Sequence, residues 1–141
     1  MQQDNLSTYG ALVLRVSLGT LFLAHGLTKL LVFTPSGTAG FFSSLGLPGA
    51  LGYLTMIAEL AGGIALLAGL GTRYVSLALA PILLGSIAFV HGANGWAFGN
   101  EGGGWEFPAF WAAALIVQAL IGDGAYAIRI PATLRELKPA Q

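Results

Sequence analysis

Four long apolar segments alternate with shorter polar ones along the chain. They cover residues 9–33, 50–70, 74–93 and 107–127. A helix rises about 1.5 Å per residue, so about 20 residues cross the roughly 30 Å hydrocarbon core of a bilayer. The pattern therefore predicts an all-α integral membrane protein. We expect one domain over residues 1–141, a four-helix bundle whose helices run up, down, up and down.

The first apolar segment carries its polar side chains on one face. Arg15, His25 and Lys29 share that face with Gly19 and Gly26, because their spacings follow the helical repeat. A charged side chain at the bilayer centre costs about 2.5 to 3.5 kcal/mol on insertion scales, so such groups usually turn toward protein partners. The polar face is therefore expected to contact the other helices.

The connections between the segments differ in composition. Residues 34–49 are rich in glycine and proline and predict a turn-rich loop with a short interfacial segment. Residues 71–73 form a short turn, so the second and third helices are expected to be antiparallel neighbours. Residues 96–106 combine glycine, tryptophan and glutamate, and predict a Gly/Trp-rich loop that serves as a flexible lid.

Composition agrees with a membrane protein. Hydrophobic residues make up 55% of the chain and charged residues only 9%, against about a quarter in soluble domains. The net charge is zero and there is no basic run, so the lipid bilayer, and not nucleic acid, is the expected partner. The chain has no cysteine, which excludes disulfides, thiol catalysis and covalently attached haem.

The basic residues predict the orientation in the membrane. Five of them fall on the side that holds both termini: Arg15, Arg73, Arg129, Arg135 and Lys138. Lys29 alone falls on the other side. By the positive-inside rule, both termini are cytoplasmic and the loop 96–106 faces outward.

Depth along each helix predicts which polar side chains meet. His25, Glu59 and Gln118 lie about 12, 14 and 16 Å from the outer boundary, at about 1.5 Å per residue. Lys29 lies one turn outward of His25 on the same face, and His91 and Glu106 lie nearer the outer surface. These six side chains are the candidate ligand-binding residues, and no metal site is predicted.

A second pair is expected at the inner side. Arg15 and Asp123 lie about 27 and 24 Å from the outer boundary by the same count. A paired charge removes the insertion cost, so we interpret these two residues as a structural ion pair. Two histidines are also possible ligands of a b-type haem, but His25 and His91 differ by about 9 Å in depth, which argues against that arrangement.

Several short motifs in order resemble the DoxX family of small four-helix membrane proteins. They are Arg15, then HGLTKL, Gly-Phe-Phe with Leu-Gly-Leu-Pro, Glu-Leu-Ala-Gly-Gly, Gly-Thr-Arg, VHGANGW and Gly-Gly-Gly-Trp-Glu. That family includes a membrane subunit of a thiosulfate:quinone oxidoreductase, redox-associated partners of soluble enzymes and a relative that assists receptor assembly. The resemblance implies a multi-pass protein of the bacterial cytoplasmic (inner) membrane.

Two functions follow from these observations. In the first, the protein is a redox-associated subunit, at most part of a quinone-linked oxidoreductase, and His25, Lys29 and Glu59 surround a quinone head group or a small oxyanion. In the second, it is a non-catalytic scaffold or assembly factor, and the same residues are a satisfied polar layer. Either function implies a protein partner or a homo-oligomer. Transport is a weaker third reading, because four short helices leave little room for alternating access.

Overall fold

The computed structural model describes residues 2–128, with side chains from residue 5 onward, and this part of the chain contains helices and no strand. The helices are α1 (Gln2–Leu31), α2 (Pro35–Ser44), α3 (Ala50–Ala68), α4 (Thr72–Ser86) and α5 (Glu106–Ile121). A π-helical turn, Ile87–His91, and a 3-10 turn, Gly92–Asn94, extend α4. The all-α prediction is confirmed.

Three helical segments are long and apolar enough to cross a membrane. They are Asn5–Leu31, Ala50–Ala68 and Thr72–Asn94. The fourth was predicted to extend to residue 127, but α5 has only 16 residues, about 24 Å of helix. It ends at Ile121 because Gly122 adopts φ 87° and ψ −155°, outside the helical region.

The closest helix pair is α1 with α3, which run antiparallel. Glycines make this approach possible, since a Cβ on Gly63 would lie 2.7 Å from the backbone nitrogen of Leu23. A Cβ on Gly19 would likewise lie 2.9 Å from the backbone nitrogen of Leu67. Small residues at such positions let two helix backbones come together in lipid, where packing drives association.

The four long helices form a ring of neighbours. α1 packs on α3, α3 on α4, α4 on α5 and α5 on α1. Their inward side chains make one buried apolar cluster: Leu18, Phe22, Leu66, Leu79, Ala80, Leu83, Trp111, Ala112 and Leu115. All four helices contribute to this cluster, so it fixes the positions of the polar groups that lie beside it.

The segment between α1 and α3 is more regular than predicted. In place of a turn-rich loop, it folds as the ten-residue helix α2. Thr34 caps this helix by accepting a hydrogen bond from the Gly37 N–H at 3.2 Å, and Pro35 occupies the first turn, where proline fits. α2 packs on α3 at Gly52, where a Cβ would lie 3.0 Å from the Thr38 carbonyl oxygen.

Candidate functional site

Lys29 and Glu59 join α1 to α3. The Lys29 Nζ atom lies 2.9 Å from Oε1 and 2.8 Å from Oε2 of Glu59. The Glu59 side chain is 5% exposed and that of Lys29 is 19% exposed. Among the described side chains, residues 5–128, this is the one ion pair within 4.0 Å. The pair is electrically neutral, which lets both groups lie inside the bundle.

His25 lies one turn before Lys29 on α1 and is an electrostatic neighbour of Glu59. Its Nδ1 atom is 2.9 Å from the carbonyl oxygen of Leu21. A carbonyl only accepts hydrogen bonds, so Nδ1 carries the proton and the Nε2 of a neutral His25 is an acceptor. The His25 side chain is exposed. It can therefore take a proton from a molecule that approaches α1.

Trp111 of α5 forms the wall beside His25. The two rings meet edge to face, with centroids 5.0 Å apart. Phe22 lies 4.6 Å and Phe107 5.7 Å from the Trp111 ring, which is 4% exposed. The buried indole Nε1–H of Trp111 has no hydrogen-bond acceptor within residues 2–128. A buried donor without a partner is costly, so this N–H has an unmet need for an acceptor.

Sequence reasoning missed the part that Trp111 plays here. The six predicted candidates did not include it, whereas the structure places its ring against that of His25. Gln118, which was predicted at the level of His25, lies seven residues further along α5, about 10.5 Å along the axis. It is fully buried and donates to the Gly122 carbonyl at 2.7 Å. The depth count failed because α5 begins deeper in the bundle than α1 ends.

Arg15 has backbone partners. Its guanidinium donates to the carbonyl oxygens of Leu66 at 2.8 Å, Leu67 at 3.0 Å and Ala125 at 2.9 Å. Asp123 is an electrostatic neighbour, but within the described residues it forms no ion pair with Arg15 at the 4.0 Å limit. The predicted pair is thus replaced by contacts to the C-terminal end of α3, whose last carbonyls lack helical partners.

His91 and Glu106 belong to a separate cluster in the outer loop. His91 donates from Nδ1 to the Gly103 carbonyl at 2.9 Å, and Asn94 donates to the same oxygen at 3.0 Å. Glu106 accepts from the Phe98 N–H at 2.7 Å. His91 and Glu106, both predicted as ligand residues, therefore stabilise the conformation of the outer loop. The glycine run of the predicted lid is hydrogen-bonded to the turns that extend α4.

The residues brought together differ from the predicted set of six. Lys29 pairs with Glu59, His25 lies one turn away on α1 and contacts Trp111, while Gln118, His91 and Glu106 lie elsewhere. Among the side chains of residues 5–128, no three of His, Cys, Asp or Glu come close enough to hold a metal ion. The cluster Lys29, Glu59, His25 and Trp111 is called the seam site below, because it lies where α1 meets α3 and α5.

The chain is similar to known proteins over its first two thirds. The DoxX family model matches residues 10–92, more than half of the chain. A putative oxidoreductase, CatD, of Bacillus subtilis (strain 168) is 42% identical over 81 residues, 57% of this chain and 59% of the relative. The chain thus spans less than two thirds of that relative, and no solved structure matches it. The matched part includes three residues of the seam site, and the chain belongs to the DoxX family.

Proposed function

We propose that this DoxX-family membrane protein binds a quinone head group at the seam site and serves as the membrane subunit of a quinone-linked oxidoreductase. The observation that carries the proposal is the buried Trp111 N–H without an acceptor, beside the exposed ring of His25. A donor next to an acceptor suits a head group that carries carbonyl oxygens in one redox state and hydroxyls in the other. The name of the relative CatD supports only the class of reaction.

Charge favours a neutral ligand over a small oxyanion. The Lys29 ammonium is already balanced by the Glu59 carboxylate, both of whose oxygens lie within 2.9 Å of it. An anion placed beside Lys29 would therefore also meet a negative charge at close range. A neutral ring meets no such repulsion, and Lys29 carries a third N–H that can donate to a quinone oxygen.

The side chains of the seam site suit proton exchange. Oxidation of a hydroquinone releases two electrons and two protons. The Nε2 atom of neutral His25 can accept one proton, since Nδ1 carries the ring hydrogen that bonds the Leu21 carbonyl. The carboxylate of Glu59, an electrostatic neighbour of His25, is the proposed second acceptor. The electrons pass to a protein partner of the oxidoreductase class, which completes the reaction.

A fluorescence titration tests this binding site. Replacing Trp96 and Trp105 with Phe leaves Trp111 as the reporter, because the chain has three tryptophans. In lipid nanodiscs, a soluble benzoquinone should quench Trp111 saturably, and thiosulfate should not. His25→Ala should weaken quinone binding about tenfold, the loss expected for one good hydrogen bond.

His91→Gln is the matched control, because it changes the other histidine in the outer loop. Unchanged quinone affinity in both His25→Ala and Glu59→Gln would contradict the site. The Lys29 and Glu59 contact would then act only as a link between α1 and α3, as in a non-catalytic scaffold. Proteins that copurify from native membranes would in that case identify what the scaffold holds.

The proposed orientation has both termini in the cytoplasm of a bacterium, with the loop 96–106 outside. The support for this orientation is the excess of basic residues in the segments that lie on the same side of the membrane as the two termini. Gly99 is a suitable labelling position, since it is exposed and a Cβ there meets open space. A single cysteine at Gly99 should react with an impermeant thiol reagent on intact cells. Protection there, with reaction at Tyr74→Cys, would reverse the orientation.

A further inference from the structure

An open groove lies at the base of the outer loop, apart from the seam site. Its volume is about 570 Å³, within the range of small-molecule sites. The lining residues are Trp96, Phe98, Glu106, Phe107, Ala109 and Phe110. Four of the six are aromatic, and Glu106 is the charged one.

The walls of the groove are held in place by the loop. Glu106 accepts from the Phe98 N–H at 2.7 Å and donates its own N–H to the Trp96 carbonyl at 3.1 Å. The rings of Phe98 and Phe107 meet at 5.5 Å, and those of Trp96 and Trp105 at 4.6 Å. The carboxylate and the aromatic walls therefore belong to one arrangement that exists before any ligand binds.

The charge of this region favours a cation. Residues 92–106 contain Glu101 and Glu106 and no lysine or arginine. Lys29, the basic residue near the outer end of α1, is held by Glu59. A lipid chain needs apolar walls but gains nothing from a carboxylate among them. Aromatic faces beside a negative charge match an alkylammonium ion, which is attracted by ring quadrupoles and by the carboxylate.

We infer that the groove of Trp96, Phe98, Glu106, Phe107 and Phe110 is a binding site for an organic ammonium ion. The ammonium lies among the aromatic rings and is balanced by Glu106, and the apolar part of the ligand faces Ala109. The groove shares no residue with the seam site, although the Phe107 ring lies 5.7 Å from that of Trp111.

Phenyltrimethylammonium and its neutral isostere tert-butylbenzene are suitable probes. Each is titrated into protein in nanodiscs of neutral lipid, with empty nanodiscs subtracted. The ammonium should bind saturably. Glu106→Gln keeps an oxygen for the Phe98 N–H but removes the charge, and should weaken ammonium binding about tenfold. Glu101→Gln, which changes an exposed carboxylate outside the groove, should leave the affinity unchanged.

Phe110→Leu is a second variant that avoids damage to the fold, because Phe110 is 74% exposed. It should weaken binding of the ammonium more than that of tert-butylbenzene. The inference is overturned if Glu106→Gln binds the ammonium as the wild type does, or if both variants affect the two probes equally. His25→Ala should leave ammonium binding unchanged, so failure of the quinone proposal is seen separately.

Discussion

The two ends of the polar face of α1 use their basic residues in different ways. Arg15 and Lys29 are 14 residues apart, about 21 Å along the axis. Arg15 is 1% exposed and donates to three backbone carbonyls, whereas Lys29 is 19% exposed and contacts one carboxylate. The hydrogen-bond partners of Arg15 are thus backbone atoms of the protein itself. The Lys29 end adjoins His25, whose acceptor is open, and Trp111, whose donor is unused.

This difference separates a structural group from a binding group on one helix. Arg15 lies against the C-terminal end of α3, where the helix dipole favours a positive charge. Gly69, at φ 73°, ends that helix, and a Cβ there would lie 2.6 Å from the Arg15 guanidinium. No ligand fits between such groups. We therefore expect substitutions at the Arg15 end to change stability, and substitutions at the Lys29 end to change binding as well.

The largest effect is expected at Arg15. Arg15→Met should lower the free energy of unfolding by about 3 kcal/mol, since it removes the three hydrogen bonds from the buried guanidinium to the carbonyls of Leu66, Leu67 and Ala125. Unfolding in mixed micelles measures this loss. Asp123→Asn is the control and should cost less than about 1 kcal/mol, because Asp123 forms no ion pair with Arg15. Equal losses of stability in the two variants would instead support the predicted ion pair between Arg15 and Asp123.

A smaller effect is expected at Lys29. Lys29→Met should cost about 2 kcal/mol, because it leaves the Glu59 carboxylate buried without its partner. Adding Glu59→Met should recover much of that loss, since the double variant buries no charge. Both variants should lose quinone binding. Additive losses of stability would show that the two groups do not interact, and retained binding in the double variant would remove them from the site.

The smallest of the three effects is expected at Gly63, which contacts α1 between Arg15 and Lys29. Gly63→Ala should lower the free energy of unfolding by about 1 kcal/mol, because its Cβ would press on the backbone of Leu23. Gly85→Ala meets open space and should be neutral or slightly stabilising, since alanine favours helix over glycine. The difference between the two variants measures the close approach. If Gly63→Ala is as stable as Gly85→Ala, the packing of α1 on α3 does not depend on the close approach at Gly63.

Local pattern predicted the apolar parts of α1, α3 and α4, because long apolar runs have few alternatives to membrane helices, but it missed that α1 begins at Gln2, seven residues before the predicted start. It also predicted that His25, Lys29 and Glu59 cluster, since the depth count placed His25 level with Glu59 and helical spacing placed Lys29 one turn from His25. The same count misplaced Gln118, because α5 starts deeper. The position of α5 along the bundle axis depends on packing around Trp111 and on the fold of the outer loop. A hydropathy pattern shows neither of these.

Two further features depend on contacts that single residues do not reveal. The glycines of residues 34–49 led to the prediction of a loop in place of helix α2. Thr34 followed by Pro35 is a helix-start signal that could have indicated this helix. Arg15 was paired with Asp123 by depth, but a guanidinium can also bind carbonyls at a helix end. Sequence counting compares side chains with side chains, so it misses partners that the backbone supplies.

Photolabelling tests the seam site most directly. An azido-substituted quinone is added to the wild-type protein in nanodiscs and irradiated, and the labelled peptides are identified by mass spectrometry. The photolabel is expected on residues 22–29 of α1 and 107–115 of α5, and labelling should be reduced by excess quinone and by His25→Ala. Arg15 and its α3 partners should carry none. Label spread over all helices and unaffected by excess quinone would contradict a quinone site beside Lys29, Glu59, His25 and Trp111.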